Sequence, residues 1–378
     1  MRLHNSSPFY QKLSEAIAAL GGMHNAHLHL DRAGTLDEDY MRVAEKSILE
    51  TSHISLHEKH HLIHNLHNSR AYQRDDLTGR VNHFLDVMVA ANTKVADTLV
   101  DVTADGIGLR ALEMMQEIQR DRADEITLRI AAYSPFGFRD DEPQHWEIFA
   151  EGSVASDFIA ALPEADDTRE YPDHIGFDEH LRRTLDLAKA KGCMLHVHTD
   201  QRNEPTEDGT ERLVETIARH GAPQVNADEP SVWAVHAISP STYDDTRFEA
   251  LTRGLVENNI GIVCCPSAAI GMRQLRPLKT PTYNSIPRVL EWLAAGVHVR
   301  LASDNIADIC SPSTTADLVD EVFMLSAALR YYDVNILAKL ACGLKLELEE
   351  RDKIRLHLQQ NDEQIAKVLR ETDQIPAG

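Results

Sequence analysis

Basic residues are scarce in this chain. Lys and Arg number 38 against 60 Asp and Glu, a formal charge of −22, which repels phosphate backbones and anionic membrane surfaces. Neither nucleic acid nor a membrane is therefore an expected partner. Cysteine is rare and odd in number: Cys193, Cys264, Cys265, Cys310 and Cys342 include no C-x-x-C, so no disulfide framework is expected and the thiols read as reduced and buried. Long apolar runs are missing. Asn258 to Met272 is 15 residues without Asp, Glu, Lys or Arg, contains polar groups and is too short to span a bilayer. The start of the chain has no basic stretch followed by an apolar run and a small-residue cleavage site, which leads to an expectation of a cytoplasmic protein. With 18 Gly and 15 Pro in 378 residues, neither a fibrous repeat nor a disordered chain is indicated. G-x-S-x-G, G-x-x-x-x-G-K-[ST] and G-x-G-x-x-G are all absent, so serine esterase, P-loop and dinucleotide readings have no support.

What is present is a regular alternation. Apolar runs of strand length occupy Gly22 to Leu30, Thr98 to Thr103, Ile126 to Tyr133, Ser156 to Leu162, Met194 to His198, Val232 to Ala237, Gly261 to Cys265 and Val297 to Ala302. Helix-period stretches lie between them, among them Phe177 to Lys191 and Thr210 to His220, each with a glycine just beyond its end. Eight strands alternating with helices predict an α/β fold, a (β/α)8 TIM barrel. The first connection, Asp31 to Lys94, is oversized and predicts additional helices, and further helices follow Ala302. No linker or composition shift divides the chain, so residues 1–378 are expected to form a single barrel domain; only about 20 residues precede the first strand and the C-terminal stretch reads helical, so no β-sandwich accessory domain is expected.

Histidine is abundant, 20 residues or about 5%, so roughly one H-x-H is expected by chance and His27-Leu28-His29 alone proves little. Its position matters more. The pair ends the first run and points both imidazoles to one side; His198 ends the fifth run, His236 lies at the end of the sixth and Asp304 follows the eighth. Parallel barrels gather their chemistry at these strand ends. Neutral imidazoles with one carboxylate and a place left for water suit a catalytic divalent metal, zinc first and iron second. Such an ion lowers the pKa of bound water from about 15.7 to about 7.

These residues resemble the amidohydrolase superfamily, and within it the cytosine deaminase-like branch, through HLHLD at His27, VDVTADGIGLRALE at Val100, LPEADD at Leu162, HTDQ at His198, His236 and SDNIAD at Ser303. The resemblance implies His27, His29, His198 and Asp304 as ligands of one metal, with His236 directed at the bound water and Asp304 available to accept its proton. Two-metal members bridge their ions with a strand-four lysine; Ser156 to Pro163 has none, which favours a single ion.

Two departures qualify the implied activity. Cytosine deaminases carry a proton-shuttling Glu three residues after the strand-five ligand, where this chain has Gln201, and an amide cannot titrate. Loss of a general acid/base costs about 10² to 10⁴ in rate. In addition, the third strand ends in AAYSPF where the deaminase pattern has a glutamine, and Asn305 replaces the acid after the eighth-strand ligand. The expectation is therefore a hydrolase acting on a C–N bond of a small polar, nitrogen-heterocyclic molecule other than cytosine. Amide or lactam hydrolysis is the alternative, and a non-catalytic metal-binding barrel the second. Gln201, Asn305 and Asp200 are the expected substrate-binding residues. Asp200, Glu204 and Glu207 are also candidate replacement acids. The stretch from His53 to His67 contains a formal H-E-x-x-H at His57 to His61, the zinc-peptidase pattern. Its three- and four-residue histidine spacing reads more simply as a solvated or subunit-facing helix, and homo-oligomerisation is compatible with the large helical surfaces.

Overall fold

A computed structural model describes residues 7–36, 39, 40, 47, 54, 56–226, 228–272 and 285–372. The strands are β1 (Met23–Leu28), β2 (Thr93–Asp101), β3 (Thr127–Tyr133), β4 (Phe158–Ala161), β5 (Leu195–Thr199), β6 (Val232–His236), β7 (Ile260–Cys264) and β8 (Val299–Leu301). Each pairs in parallel with the next, in the order β1 to β8. The first and last strands meet through Asp304 N–H to the His27 carbonyl at 2.9 Å and His29 N–H to the Asp304 carbonyl at 3.3 Å. The expected (β/α)8 barrel is thus present, nearly closed. Among the described residues, all eight named strands belong to it.

The helices outside the sheet begin with α1 (Pro8–Ala19), α2 (Leu56–His67), α3 (Arg74–Ala90), α4 (Arg110–Asp121), α5 (Pro143–Ala155), α6 (Phe177–Lys191) and α7 (Gly209–His220). They continue with α8 (Asp245–Glu257), α9 (Pro266–Gly271), α10 (Val289–Ala295), α11 (Leu318–Leu329), α12 (Val334–Ala341) and α13 (Leu348–Thr372). The physical causes are plain in α6. Phe177, Leu181, Thr184, Leu185 and Ala188 recur at three and four residues and are buried against the sheet; Asp178 and Glu179 open the helix, and Lys189 and Lys191 close it. Gly192, at φ 68°, then turns left-handed and gives its N–H to the Ala188 carbonyl at 2.9 Å. The barrel strands are buried on both faces, which is why they read as continuous apolar runs rather than alternating ones.

The largest difference from the sequence reading is β2, which starts at Thr93 rather than Thr98. Lys94 and Asp97 make its first half look like a loop, yet Asp97 is fully buried and held by His24 at 2.9 Å and by Arg129 at 2.5 Å. A charge that is paired can enter a strand. The oversized first connection holds α2 and α3, as expected. His53 lies outside the described residues, as do the side chains of His57 and His61. No described helix is long and apolar enough to cross a membrane.

Candidate metal centre and active site

The five residues singled out at strand ends come from β1 and the residue just after it, β5, β6 and the turn after β8, and the structure brings them together. Ligand atoms of His27, His198 and His236 lie within 4.8 Å of one another, as do those of His27, His29 and Asp304. His27 belongs to both groups. Its ring lies 4.8 Å from that of His198 and 5.2 Å from that of His29. Asp304 Oδ1 stands 3.8 Å from His27 Nε2 and 3.5 Å from His29 Nε2. Two of the five have strained backbones: His236 at φ 73° and Asp304 at φ 61° occupy the left-handed region. Strain of this kind marks positions where a side chain must be aimed in a fixed direction.

The electrostatics suit a cation. Burial, reinforced by the neighbouring imidazoles His198, His29 and His236, holds the His27 pKa well below the usual histidine value. His29 and His236 are lowered by burial in the same way, and burial brings His198 down to about 4. Neutral imidazoles are the metal-binding form. His198 Nδ1 donates to the Ala161 carbonyl at 3.0 Å, which leaves Nε2 with its lone pair toward the site. Among the described residues, both ring nitrogens of His27, Nδ1 of His29 and Nδ1 of His236 are buried with no hydrogen-bond partner. Buried polar atoms without partners are costly, and a divalent ion can take one nitrogen from each ring; the residues present therefore fit a metal. His196, two residues before His198 on β5, stacks on His27 at 6.1 Å and is pushed by burial to about 3. It extends the histidine cluster deeper into the barrel and was not among the residues expected from the sequence.

Above the cluster opens a cavity of about 1590 Å³ lined by His29, Tyr133, Glu164, His198, Gln201, His236, Asp304 and Asn305, among others. Lys59, His60 and His64 of α2 also line it. The histidine-rich helix is therefore not a solvated or subunit-facing element along its whole length; it presents one face to the cavity. His64 and His67 both bond Asp105 through Nδ1, at 3.0 and 2.7 Å, and His67 Nε2 bonds Asp101 at 3.0 Å. Burial opposes the charge on His67, but the hydrogen bonds it donates to Asp101 and Asp105 outweigh it and raise its pKa to about 9.

The three expected substrate-binding residues separate. Gln201 lines the cavity, but its Nε2 donates to Glu164 Oε2 at 2.8 Å. Asn305 also lines it, with Nδ2 donating to Asp304 Oδ1 at 3.1 Å and Oδ1 accepting from Arg32 at 3.3 Å. Asp200 is a correction. It is fully buried, is not part of the cavity wall, and receives the N–H groups of Gly209 at 2.7 Å and Thr210 at 2.9 Å. Its carboxylate caps α7 because the first N–H groups of a helix have no partner within it. Glu204 and Glu207 are also set back from the cavity; Glu207 accepts from the Ser239 hydroxyl and from Arg202 N–H at 2.8 Å. Burial and mutual repulsion weaken the acids of this corner: Glu164 is lifted to about 7 by burial and then Asp200, and Glu207 to about 9 by burial and then Glu164. Burial also lifts Asp304 to about 7, with Asp308 adding to the shift.

No protein-family model matches the chain. An uncharacterized protein of Haemophilus influenzae is 26% identical over 300 residues, covering 76% of this chain and 99% of that one. Pterin deaminase of Rhizobium rhizogenes is 25% identical over 233 residues, 62% of this chain, and the match spans half (50%) of its own length. Among solved structures, 5-methylcytosine deaminase of Klebsiella pneumoniae liganded with 5-fluorocytosine superposes with a TM-score of 0.71 at 22% identity, over 85% of this chain and 72% of that one. Atrazine chlorohydrolase of Arthrobacter aurescens, complexed with zinc, shares the fold at a TM-score of 0.51 and 15% identity, over 85% of this chain and 69% of that one. The solved structures, each under 25% identical, show that the chain shares their barrel fold.

Proposed function

We propose that the chain is a metal-dependent hydrolase that removes an exocyclic amino group from a nitrogen heterocycle larger than cytosine, a pterin-like bicyclic amine being the reference substrate. The observation that carries this reading is the meeting of five metal-competent side chains, several with unpartnered nitrogens, beneath a single cavity at the C-terminal ends of the strands. The similarity to a pterin deaminase supports the substrate class.

His27, His29, His198 and Asp304 would hold one divalent ion, zinc with iron as the alternative; β4 contributes no lysine to bridge a second. When bound, the ion supplies a water acidified enough to attack a trigonal carbon at neutral pH. Asp304 would also serve as a base, its carboxylate taking up a proton and returning one to the departing nitrogen. Asn305 fixes the Asp304 carboxylate through its 3.1 Å bond. His236, neutral and, among the described residues, without a hydrogen-bond partner at Nδ1, would be directed at that water. Tyr133 and α2 wall the site and limit bulk solvent. The expected homo-oligomer and cytoplasmic location stay as proposals beside this one.

Opening of a cyclic amide is the second reading, favoured by the amide at position 201. Incubation of metal-loaded protein with amino-pterins, aminopurines, cytosine and lactams, with ammonia measured, separates them. Ammonia release from the bicyclic amines, exceeding that from cytosine, is expected; ring opening without ammonia would favour the second reading, and inactivity on every compound would defeat both.

A further inference from the structure

Gln201 cannot carry a proton, yet hydrolytic deamination needs one moved to the ring. Among the described residues three carboxylates line the cavity: Asp304, Glu170 and Glu164. Asp304 belongs to the metal cluster, and Glu170 is engaged by Arg202. Glu164 remains. We propose that Glu164, supplied by the turn after β4, is the proton carrier of this site, and that Gln201 holds its carboxylate in working position. The assignment rests on the deaminase reading above.

The geometry is built for such a role. β4 and β5 pair with Ala161 beside Val197, and His198 Nδ1 donates to the Ala161 carbonyl at 3.0 Å, so the end of β4 is registered against a metal-site histidine. Glu164 lies three residues after Ala161 and Gln201 three after His198, and the two side chains meet at 2.8 Å above that register. The turn is rigid. Asp166, two residues on, accepts the Phe138 N–H at 2.6 Å, His174 Nδ1 at 2.9 Å and His180 Nδ1 at 2.6 Å. Gly137, at φ 72°, passes so close that an added Cβ would lie 2.4 Å from Asp166 Oδ1. A carboxylate fixed in this way does not have to be reordered for each turnover.

The acid–base setting agrees. Asp200, Arg202 and Glu207 face the Glu164 carboxyl along with Gln201, and burial is the largest influence on it; the outcome is a group near 7 that takes and releases a proton with comparable ease at neutral pH. The proton balance closes. As the water oxygen forms its bond to the ring carbon, one water proton passes to Glu164 and from there to the adjacent ring nitrogen. The remaining hydroxyl proton goes to the exocyclic amino group, the C–N bond breaks with its electron pair on nitrogen, and ammonia leaves behind a ring carbonyl. No redox change or co-reactant is required.

The test compares Glu164→Gln, Gln201→Glu and the exchange of both. In E164Q the amide oxygen still accepts from Gln201, so a purely structural contact survives while proton transfer does not. Expected are a fall in kcat of about 10² to 10⁴, with KM, bound metal and melting midpoint unchanged, and recovery of at least tenfold in the double exchange, which returns a carboxylate to the pair. E164Q within threefold of the parent kcat overturns the assignment. If E164Q instead loses metal or stability, the double exchange decides: no gain over E164Q overturns the proposal, and recovery supports it. A parent protein inactive on every amino-heterocycle overturns the deaminase reading and this assignment together, whereas an active parent with an equally active E164Q removes the assignment alone.

Discussion

His27 is the residue on which the most geometry converges, since it is shared by both groups of donor atoms and, among the described residues, neither of its ring nitrogens has a hydrogen-bond partner. Replacing His27 and His29 together by alanine should abolish metal binding. Atomic absorption on the purified variant checks this, and the His57→Ala/His61→Ala variant serves as the contrast, because it alters the formal H-E-x-x-H pattern on α2. Metal retained in the first and lost in the second would transfer the centre to α2. This cluster was legible in the sequence because side chains spaced by two at a strand end must point to the same rim. Glu164 was not. A single glutamate in LPEADD reads as a polar loop residue, and its partner lies 37 positions away; only the pairing of β4 with β5 makes them neighbours. Asp200 shows the converse. It sits one residue from Gln201 in the sequence, yet its side chain turns away to cap α7.

At the scale of elements, two side chains carry distinct stability predictions. Asp200→Ala strips the N-terminus of α7 of a buried carboxylate that receives two backbone N–H groups, and should cost about 1–3 kcal/mol in urea unfolding; an unchanged midpoint would mean that water replaces the cap. His67 pins α2 to β2 and its following turn through Asp101 and Asp105. Its pKa rises on folding from the ordinary 6.5 to about 9. A raised pKa stabilises fully below the unfolded value, and the contribution fades as pH climbs through the folded one. His67→Gln should therefore be destabilised relative to the parent at pH 6, by about 3 kcal/mol at most, with the gap closing toward pH 10; unfolding titrations at several pH values check it. A gap independent of pH would assign His67 a packing role. The helices and strands themselves were mostly readable from period and stop signals, α6 to the residue. β2 was misread at its start because local sequence cannot reveal that Asp97 finds His24 and Arg129 on the neighbouring strands β1 and β3. The place of α2 over the cavity was equally hidden: histidine spacing defines a face, but not what the face covers.

For the molecule as a whole, the seam between β1 and β8 is where chain topology and chemistry coincide. β2 and β3 are paired along seven residues, whereas β1 and β8 are joined by the two backbone bonds around Asp304, the Asn25–Ser303 contacts at 2.9 and 3.0 Å, and Gly34 N–H to the Ile306 carbonyl at 3.0 Å. His27 and His29 stand on one side of this seam, and Asp304 on the other. An ion held by all three would bridge the one junction that the chain cannot close by sequential strand pairing. Ligand binding to the folded state alone stabilises by about 2.7 kcal/mol at a hundredfold excess over Kd. Chelation should accordingly lower the melting midpoint by several degrees, and the His27→Ala/His29→Ala protein should melt at the same temperature with or without chelator. Hydrogen exchange locates the effect: protection should be lost chiefly at the C-terminal ends of β1 and β8 and little in β2 or β3. Uniform loss around the barrel, or a midpoint indifferent to chelator in the parent protein, would mean that the donors at this rim do not share an ion.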